Sequence, residues 1–327
     1  MYAIATCTNR KQKQYFNQEM NWSQFTAKLK ETTRTKETVE EYRNLNKDRQ
    51  SNIKDVGGFV AGELKDGRRN NQSVLSRSMV TLDADFANKD FLDLIRLTCD
   101  FCSVIYSTHK HTPEKPKYRW IIPLKRGVSP EEYEAIARRI ASTIGMEYFD
   151  DTTYQPARMM FWPSTCKDGE YICEELGDRN ADLNPDDILA QYRDWHDISY
   201  WPRSNRETEL HHSDIRHQED PLSKSGWIGA FCRAYTIQEA IEKFIPEEYT
   251  PTEDPNRWTY TNGSTAGGLV IYDDKYAYSN HNTDPTGQQL CNAYDLVRIH
   301  KWPDDPASTE HMLELMEHDE GTRKQLI

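Results

Sequence analysis

Two aspartates spaced i, i+2 close an apolar run in Val80-Thr-Leu-Asp83-Ala-Asp85, and Val104-Ile-Tyr-Ser107-Thr-His109 repeats the arrangement with a hydroxyl and an imidazole. In an extended chain i and i+2 share a face, so each pair reaches a strand end together. Carboxylates so placed can hold a divalent cation between them, although the same aspartates could instead cap the following helix. A third carboxylate arrives in Glu147-Tyr-Phe-Asp150-Asp151. Asp150, directly after apolar Phe149, is the expected third ligand, with Asp151 in competition. Three convergent carboxylates suit two Mg²⁺ or Mn²⁺ ions about 3.5–4 Å apart, an arrangement that activates a hydroxyl and neutralises a leaving pyrophosphate. Ser107 and His109 could then donate hydrogen bonds to a triphosphate.

Arg119 in Tyr118-Arg-Trp-Ile-Ile-Pro-Leu and Arg158 in Pro156-Ala-Arg-Met-Met-Phe-Trp are single cations inside apolar runs. Such a residue needs an anion beside it, either one of the aspartates or a phosphate. Lys54, Arg68, Arg69 and Arg77 are candidates for further phosphate or nucleic-acid backbone contacts.

The elements that must position these groups alternate. A helix is expected from Asn21 to about Gln50, with Trp22, Phe25 and Leu29 at helix spacing and a charged continuation. A glycine-punctuated strand follows over 54–62, then a strand at 78–84, a helix near 88–99, a strand at 102–107 and a His-, Lys- and Pro-rich loop at 108–116. A strand at 117–124 precedes a helix at 130–144, which opens on the N-cap signature Ser129-Pro-Glu-Glu. A strand near 158–162 and a short helix at 184–192 close this part. The alternation describes an α/β or α+β core with its polar chemistry at strand ends.

At 327 residues the chain is long enough for two domains. The expected division is a catalytic domain over 1–195, whose first 52 residues are basic and helical, a linker at 196–222, and an accessory domain over 223–327 that is mainly helical with a hairpin at 257–279. A mean hydropathy of -0.89 and the lack of any apolar run of membrane-spanning length indicate a soluble protein with no membrane contact, expected in the cytoplasm. The net charge of -12 argues against nucleic acid, but its distribution weakens the objection: residues 1–82 carry 15 Lys+Arg against 9 Asp+Glu, and residues 200–327 carry 12 against 22. The seven cysteines form no regular framework and read as reduced thiols. His281, Asp284, Cys291 and His300 match no standard zinc spacing and read better as polar turn residues.

The order Asp83-x-Asp85, Ser107-x-His109, Phe149-Asp150 resembles the three motifs of the archaeo-eukaryotic primase superfamily. The strings around Arg119 and Arg158 are similar to its phage and plasmid primase-polymerase branch, associated with virulence-associated protein E-like helicases, and the resemblance covers roughly residues 50–180. It implies an α+β, two-layer catalytic core with an RRM-like half, carboxylates as metal ligands and Ser107 and His109 on the incoming nucleotide's phosphates. Residues 223–327 look like the segment that follows the primase core in phage replication proteins. No GxxxxGK[ST] occurs in the chain, so a helicase partner would act in trans or on a longer polypeptide.

The function expected is therefore a DNA primase or primase-polymerase of a phage or mobile element. It would use two metal ions, nucleoside triphosphates (NTP or dNTP) and a single-stranded DNA template. Two rivals keep the same residues in other roles: a catalytically silent origin-binding, helicase-recruiting module, and a metal-dependent nuclease.

Overall fold

The computed structural model describes residues 1–207, 219–281 and 283–326. The chain divides into two compact units, Met1–Arg193 with Pro202–Asn205, and Asp194–Trp201 with Arg206–Ile327. The expected linker at 196–222 falls largely on residues 208–218, which lie outside the described residues.

The first unit contains β1 (Tyr2–Cys7), β2 (Phe16–Met20), α1 (Trp22–Lys30), β3 (Thr33–Arg34), α2 (Val39–Arg43), α3 (Lys47–Ile53), β4 (Gly58–Val60), β5 (Gly62–Leu64), β6 (Val74–Ala84) and α4 (Phe91–Thr98). It continues with β7 (Ser103–Ser107), β8 (Tyr118–Val128), α5 (Pro130–Ile144), β9 (Met160–Phe161), β10 (Ser164–Thr165), β11 (Cys173–Leu176) and α6 (Pro185–Leu189). A five-stranded antiparallel sheet, β11-β7-β8-β6-β5, carries the long strands β6 and β8 at its centre, and a four-stranded antiparallel sheet, β2-β1-β4-β9, joins it through one core. Met79, Val104, Tyr106 and Ile121 of the larger sheet pack with Ile4 and Phe59 of the smaller one and with Phe25 and Leu29 of α1. The fold is mixed α+β.

The helix expected over 21–50 is broken into three. α1 begins in a capping box at Asn21 and Gln24 and stops at Lys30. Thr33 and Arg34 then pair in parallel with Ser164 and Thr165. Thr38 and Asn46 each cap a new short helix. β-Branched threonines and side chains that bond their own backbone favour such interruptions over a continuous helix. Nor is the 1–52 stretch purely helical, because Tyr2–Cys7 and Phe16–Met20 pair as strands. α5 follows the expectation from Ser129, whose hydroxyl accepts the Glu132 N–H, to Gly145, where φ of 131° ends the helix.

The second unit holds α7 (Gly226–Ala234), α8 (Ile237–Phe244), β12 (Tyr249–Pro251), β13 (Arg257–Tyr260), β14 (Leu269–Tyr272), β15 (Tyr276–Ser279), β16 (Leu290–Cys291), α9 (Ala293–Lys301), α10 (Ser308–His318) and α11 (Glu320–Lys324). The hairpin at 257–279 is the middle of a five-stranded antiparallel meander, β12 to β16 in sequence order. The outermost strands, three and two residues long, are too short to show alternation in sequence. Phe231, Ile237, Ile241, Trp258, Leu269, Leu296 and Met312 form the core. Among the described residues no helix is long and apolar enough to cross a membrane, and all seven cysteines are free.

Candidate active site

β6 brings Asp83 to the buried end of the central sheet, only 5% exposed. Its cross-strand neighbour on β8 is Arg119, and beyond that stands Tyr106 of β7, so the three side chains form one row across three strands. Asp83 Oδ1 lies 3.4 Å from Arg119 Nε, yet neither atom finds a hydrogen-bond partner. Burial pushes the Asp83 carboxyl above the usual carboxylate range, Arg119 opposes the rise, and Asp85 adds to it.

A turn remote in sequence is pinned to this strand end. The Asp150 N–H donates to the Asp83 carbonyl at 2.8 Å, the Asp83 N–H donates to the Thr153 hydroxyl at 2.9 Å, and that hydroxyl donates to the Thr81 carbonyl at 3.0 Å. Phe149 is fully buried and packs edge-on against Phe91 of α4, which holds the turn from behind. Ligand atoms of Asp83, Asp85 and Asp150 consequently lie within 4.8 Å of one another, a cluster able to hold a metal ion. Asp151 is not in the cluster; its Oδ1 accepts a hydrogen bond from Ser204 at 2.6 Å.

Each clustered carboxylate has one cation. Arg119 faces Asp83, Lys117 Nζ lies 2.9 Å from Asp85 Oδ1, and Arg158 Nη2 lies 3.0 Å from Asp150 Oδ2. The aspartate-pairing alternative for Arg119 and Arg158 therefore holds in this state. Three acids against three bases make a locally balanced cluster, and the unpartnered Asp83 oxygen leaves a buried acceptor that a divalent cation would satisfy. The donor set, all carboxylate oxygen, fits Mg²⁺ or Mn²⁺.

The cluster opens into a cavity of about 310 Å³ whose wall includes Lys54, Ser107, His109, Lys110, Lys117, Arg119 and Arg158. Lys54 sits over the Phe161 ring at 5.1 Å, and burial followed by Arg119 and Lys110 lowers its pKa. The Ser107 oxygen accepts the Ile172 N–H at 2.9 Å. His109 is buried, with Nδ1 2.9 Å from Ser164 Oγ, Nε2 3.6 Å from Cys166 Sγ, and its ring 4.5 Å from that of Tyr42. Ser164 Oγ also lies 3.4 Å from the Lys54 carbonyl, so both ring nitrogens of His109 have partners inside the fold. Burial, with Lys54 adding to it, lowers the His109 pKa to about 4.

Arg69 also lines this cavity and, with Arg10, Lys11, Lys13 and Arg68, a second basic concavity of about 470 Å³. Arg77 does not belong with them. It is fully buried over the Tyr133 ring at 3.9 Å, and its guanidinium donates to the Ala61, Pro156 and Met79 carbonyls and to the Thr81 hydroxyl. Every donor group of Arg77 is committed inside the fold, so the expected DNA contact there is corrected to a structural role. Arg10, Lys110 and Lys117 escaped the sequence reading. Lys117 had a signal, its i, i+2 spacing from Arg119 at the start of β8; Arg10 had none.

In the second unit His281 is no metal ligand. Its Nε2 accepts the Tyr260 and Gly268 N–H groups at 3.1 and 3.2 Å, while Nδ1 bonds the Thr265 hydroxyl at 2.8 Å. Buried Asp284 accepts from the hydroxyls of Tyr249, Ser279 and Thr286 at 2.6, 2.6 and 2.7 Å, and lies 3.2 Å from His300 Nε2. This is a polar knot tying the meander to α9, with only His300 Nδ1 among these atoms left without a hydrogen-bond partner, 3.7 Å from Glu248, and it is in keeping with the polar-turn reading.

Residues 1–204 match the family model described as the VapE N-terminal domain, and the chain belongs to that family. The three short motifs of the sequence had pointed the same way. Among solved structures, the AEP domain of the cyanophage S-2L primase-polymerase (PrimPol) is similar at 12% identity and a TM-score of 0.33, over 57% of this chain and 86% of that one. No curated protein matches the chain.

Proposed function

We propose that this chain is a DNA primase or primase-polymerase that performs template-directed nucleotidyl transfer with Mg²⁺ or Mn²⁺. The observation that carries the reading is the convergence of Asp83, Asp85 and Asp150, with an unpartnered buried oxygen on Asp83, at one end of a cavity lined by cations. Asp83, Asp85 and Asp150 would hold the metal, which when bound activates a 3′-hydroxyl and screens the charge of the leaving pyrophosphate. Lys54, Lys117, Arg119 and Arg158 would bind the triphosphate, the last three turning from their carboxylates to phosphate oxygens as those carboxylates are taken up. Ser107, whose oxygen already accepts the Ile172 N–H, would donate its proton to a phosphate oxygen. A phosphate contact from His109 would draw one ring nitrogen away from Ser164 or Cys166, and a nearby triphosphate favours the protonated ring, in which both nitrogens donate.

Arg10 and Arg69 line both the catalytic cavity and the second concavity, which Lys11, Lys13 and Arg68 complete, and this basic stretch suits the phosphates of a single-stranded template. The first unit is then the catalytic part and the second an accessory part, with a helicase partner in trans or on a longer polypeptide.

The test is a primer-free synthesis assay on single-stranded DNA with labelled NTPs and dNTPs in parallel, under Mg²⁺ and Mn²⁺. The expected result is template-dependent incorporation that disappears in D83A/D85A. Robust synthesis by that double variant would sink the assignment. DNA binding by the wild type without incorporation under either metal would favour the silent origin-binding module, and degradation of a labelled strand without nucleotides would favour a nuclease.

A further inference from the structure

Phe161 stands in the wall of the catalytic cavity, half-buried, on the edge strand β9 of the smaller sheet. It pairs there with Gly58 of β4, and a side chain at Gly58 would run into the Met160 carbonyl. β9 therefore lies close against β4, and the backbone fixes where the Phe161 ring and carbonyl sit.

Two cations from different elements meet at this residue. Lys54, the cap residue after α3, places Nζ 5.1 Å from the Phe161 ring centroid, and Arg119 of β8 places Cζ 5.8 Å from it. Arg119 is also tied to the backbone: its Nη1 donates to the Phe161 carbonyl at 3.2 Å, and that oxygen takes a second hydrogen bond from the Tyr106 hydroxyl at 2.9 Å. The Tyr106 ring lies 5.9 Å from the same guanidinium.

The ion pairs of the site show why such contacts are needed. Lys117, Arg119 and Arg158 each face a carboxylate, whereas Lys54 has none within ion-pair distance among the described residues and feels Asp83 and Asp85 only at longer range. Arg119 in turn gives up its carboxylate when Asp83 takes up a metal ion. Lys54 and Arg119 then repel each other, and the face of an aromatic ring, negative at its centre, attracts cations lying within about 6 Å. An aliphatic side chain of similar bulk would fill the space without that attraction.

We propose that Phe161 is a positioning residue for the incoming nucleotide. Its ring steadies Lys54 and Arg119 together and its carbonyl anchors Arg119, so that both cations are presented to one triphosphate. The inference rests on the reading of this cavity as a nucleoside-triphosphate site.

The experiment is steady-state incorporation of labelled dATP, and of labelled ATP in parallel, on a poly(dT) template by the full chain. F161L should raise the KM of the triphosphate about fivefold, the size expected for two lost cation–π contacts, and should lower kcat much less. F161Y keeps the ring and should stay within about twofold of the wild type. The deciding comparison is made in a K54M background, where F161L should cost only about twofold because the Arg119 contact alone is left to lose. A residue that merely props the fold, or one that touches the nucleotide itself, would cost the same in both backgrounds. Circular dichroism checks folding, and F161M repeats the series with an unbranched side chain. An unchanged KM in F161L and F161M, a loss in F161Y as large as in F161L, or an equal loss in both backgrounds would overturn the positioning role and spare the catalytic reading. A wild type that incorporates neither nucleotide under Mg²⁺ or Mn²⁺ would overturn both.

Discussion

Asp83 and Arg119 face each other across β6 and β8, Oδ1 3.4 Å from Nε, both nearly enclosed by protein and neither hydrogen-bonded by the atoms that face. The pair combines charge attraction with unmet hydrogen-bonding capacity. A buried carboxylate left in this way is stabilised by its cation but keeps an acceptor that a metal ion or a hydrogen-bond donor would satisfy.

The first prediction follows from that pair. In R119Q the carboxylate loses the charge that opposes its upward shift, so the Asp83 pKa rises further and proton competes more with metal as pH falls. The substitution also removes the cation that a bound metal must displace from Asp83, so Mn²⁺ titrations at high pH should tighten severalfold and the gain should shrink as pH falls. In the wild type, Mn²⁺ at a hundred times its Kd should add about 2.7 kcal/mol of stability. D83A/D85A should gain none, as read by thermal melting with and without chelator.

A pH dependence of stability follows from the two buried imidazoles. His109 and His281 both fall from the usual 6.5 to about 4, mainly through burial. A depressed folded pKa gives stability that is complete above the unfolded value and is lost as pH falls through the folded one. Denaturant midpoints should therefore decline between pH 6.5 and pH 4. H109N should decline less steeply over that window, and an unchanged slope would count against a neutral, enclosed His109.

Arg68 and Arg77 should separate cleanly. R68E, at the exposed basic concavity, is expected to weaken single-stranded DNA binding and to lower the slope of log K against log salt by roughly 0.7 for each phosphate no longer neutralised, with melting unchanged. R77A strips donors from three buried carbonyls at about 1–3 kcal/mol each when left unsatisfied, so it should lower stability sharply. Salt-dependent binding isotherms and melting curves on the two variants check both halves.

The polar knot of the second unit makes a different prediction. D284A leaves the hydroxyls of Tyr249, Ser279 and Thr286 without their acceptor beside His300, a loss of about 3–5 kcal/mol in the unfolding of this unit. Chelator should change neither the wild-type nor the variant transition of the unit. A chelator-sensitive transition would point to a metal there after all.

What the sequence determined by itself was local. The end of β6 with its paired aspartates, the strand leading to Ser107 and the capped helix from Pro130 to Ile144 follow from apolar runs and cap chemistry acting over a few residues. The tertiary structure decided everything that depends on remote partners. Asp150 joins the cluster and Asp151 does not because one backbone N–H reaches the Asp83 carbonyl while Asp151 turns to Ser204. Arg77 is enclosed and Arg68 is exposed although both lie in the same basic stretch, since burial depends on how sheets and helices pack and not on neighbouring residues. The helix expected over 21–50 yields to strand pairing with Ser164 and Thr165 for the same reason: contacts with residues remote in sequence outweigh intrinsic propensity.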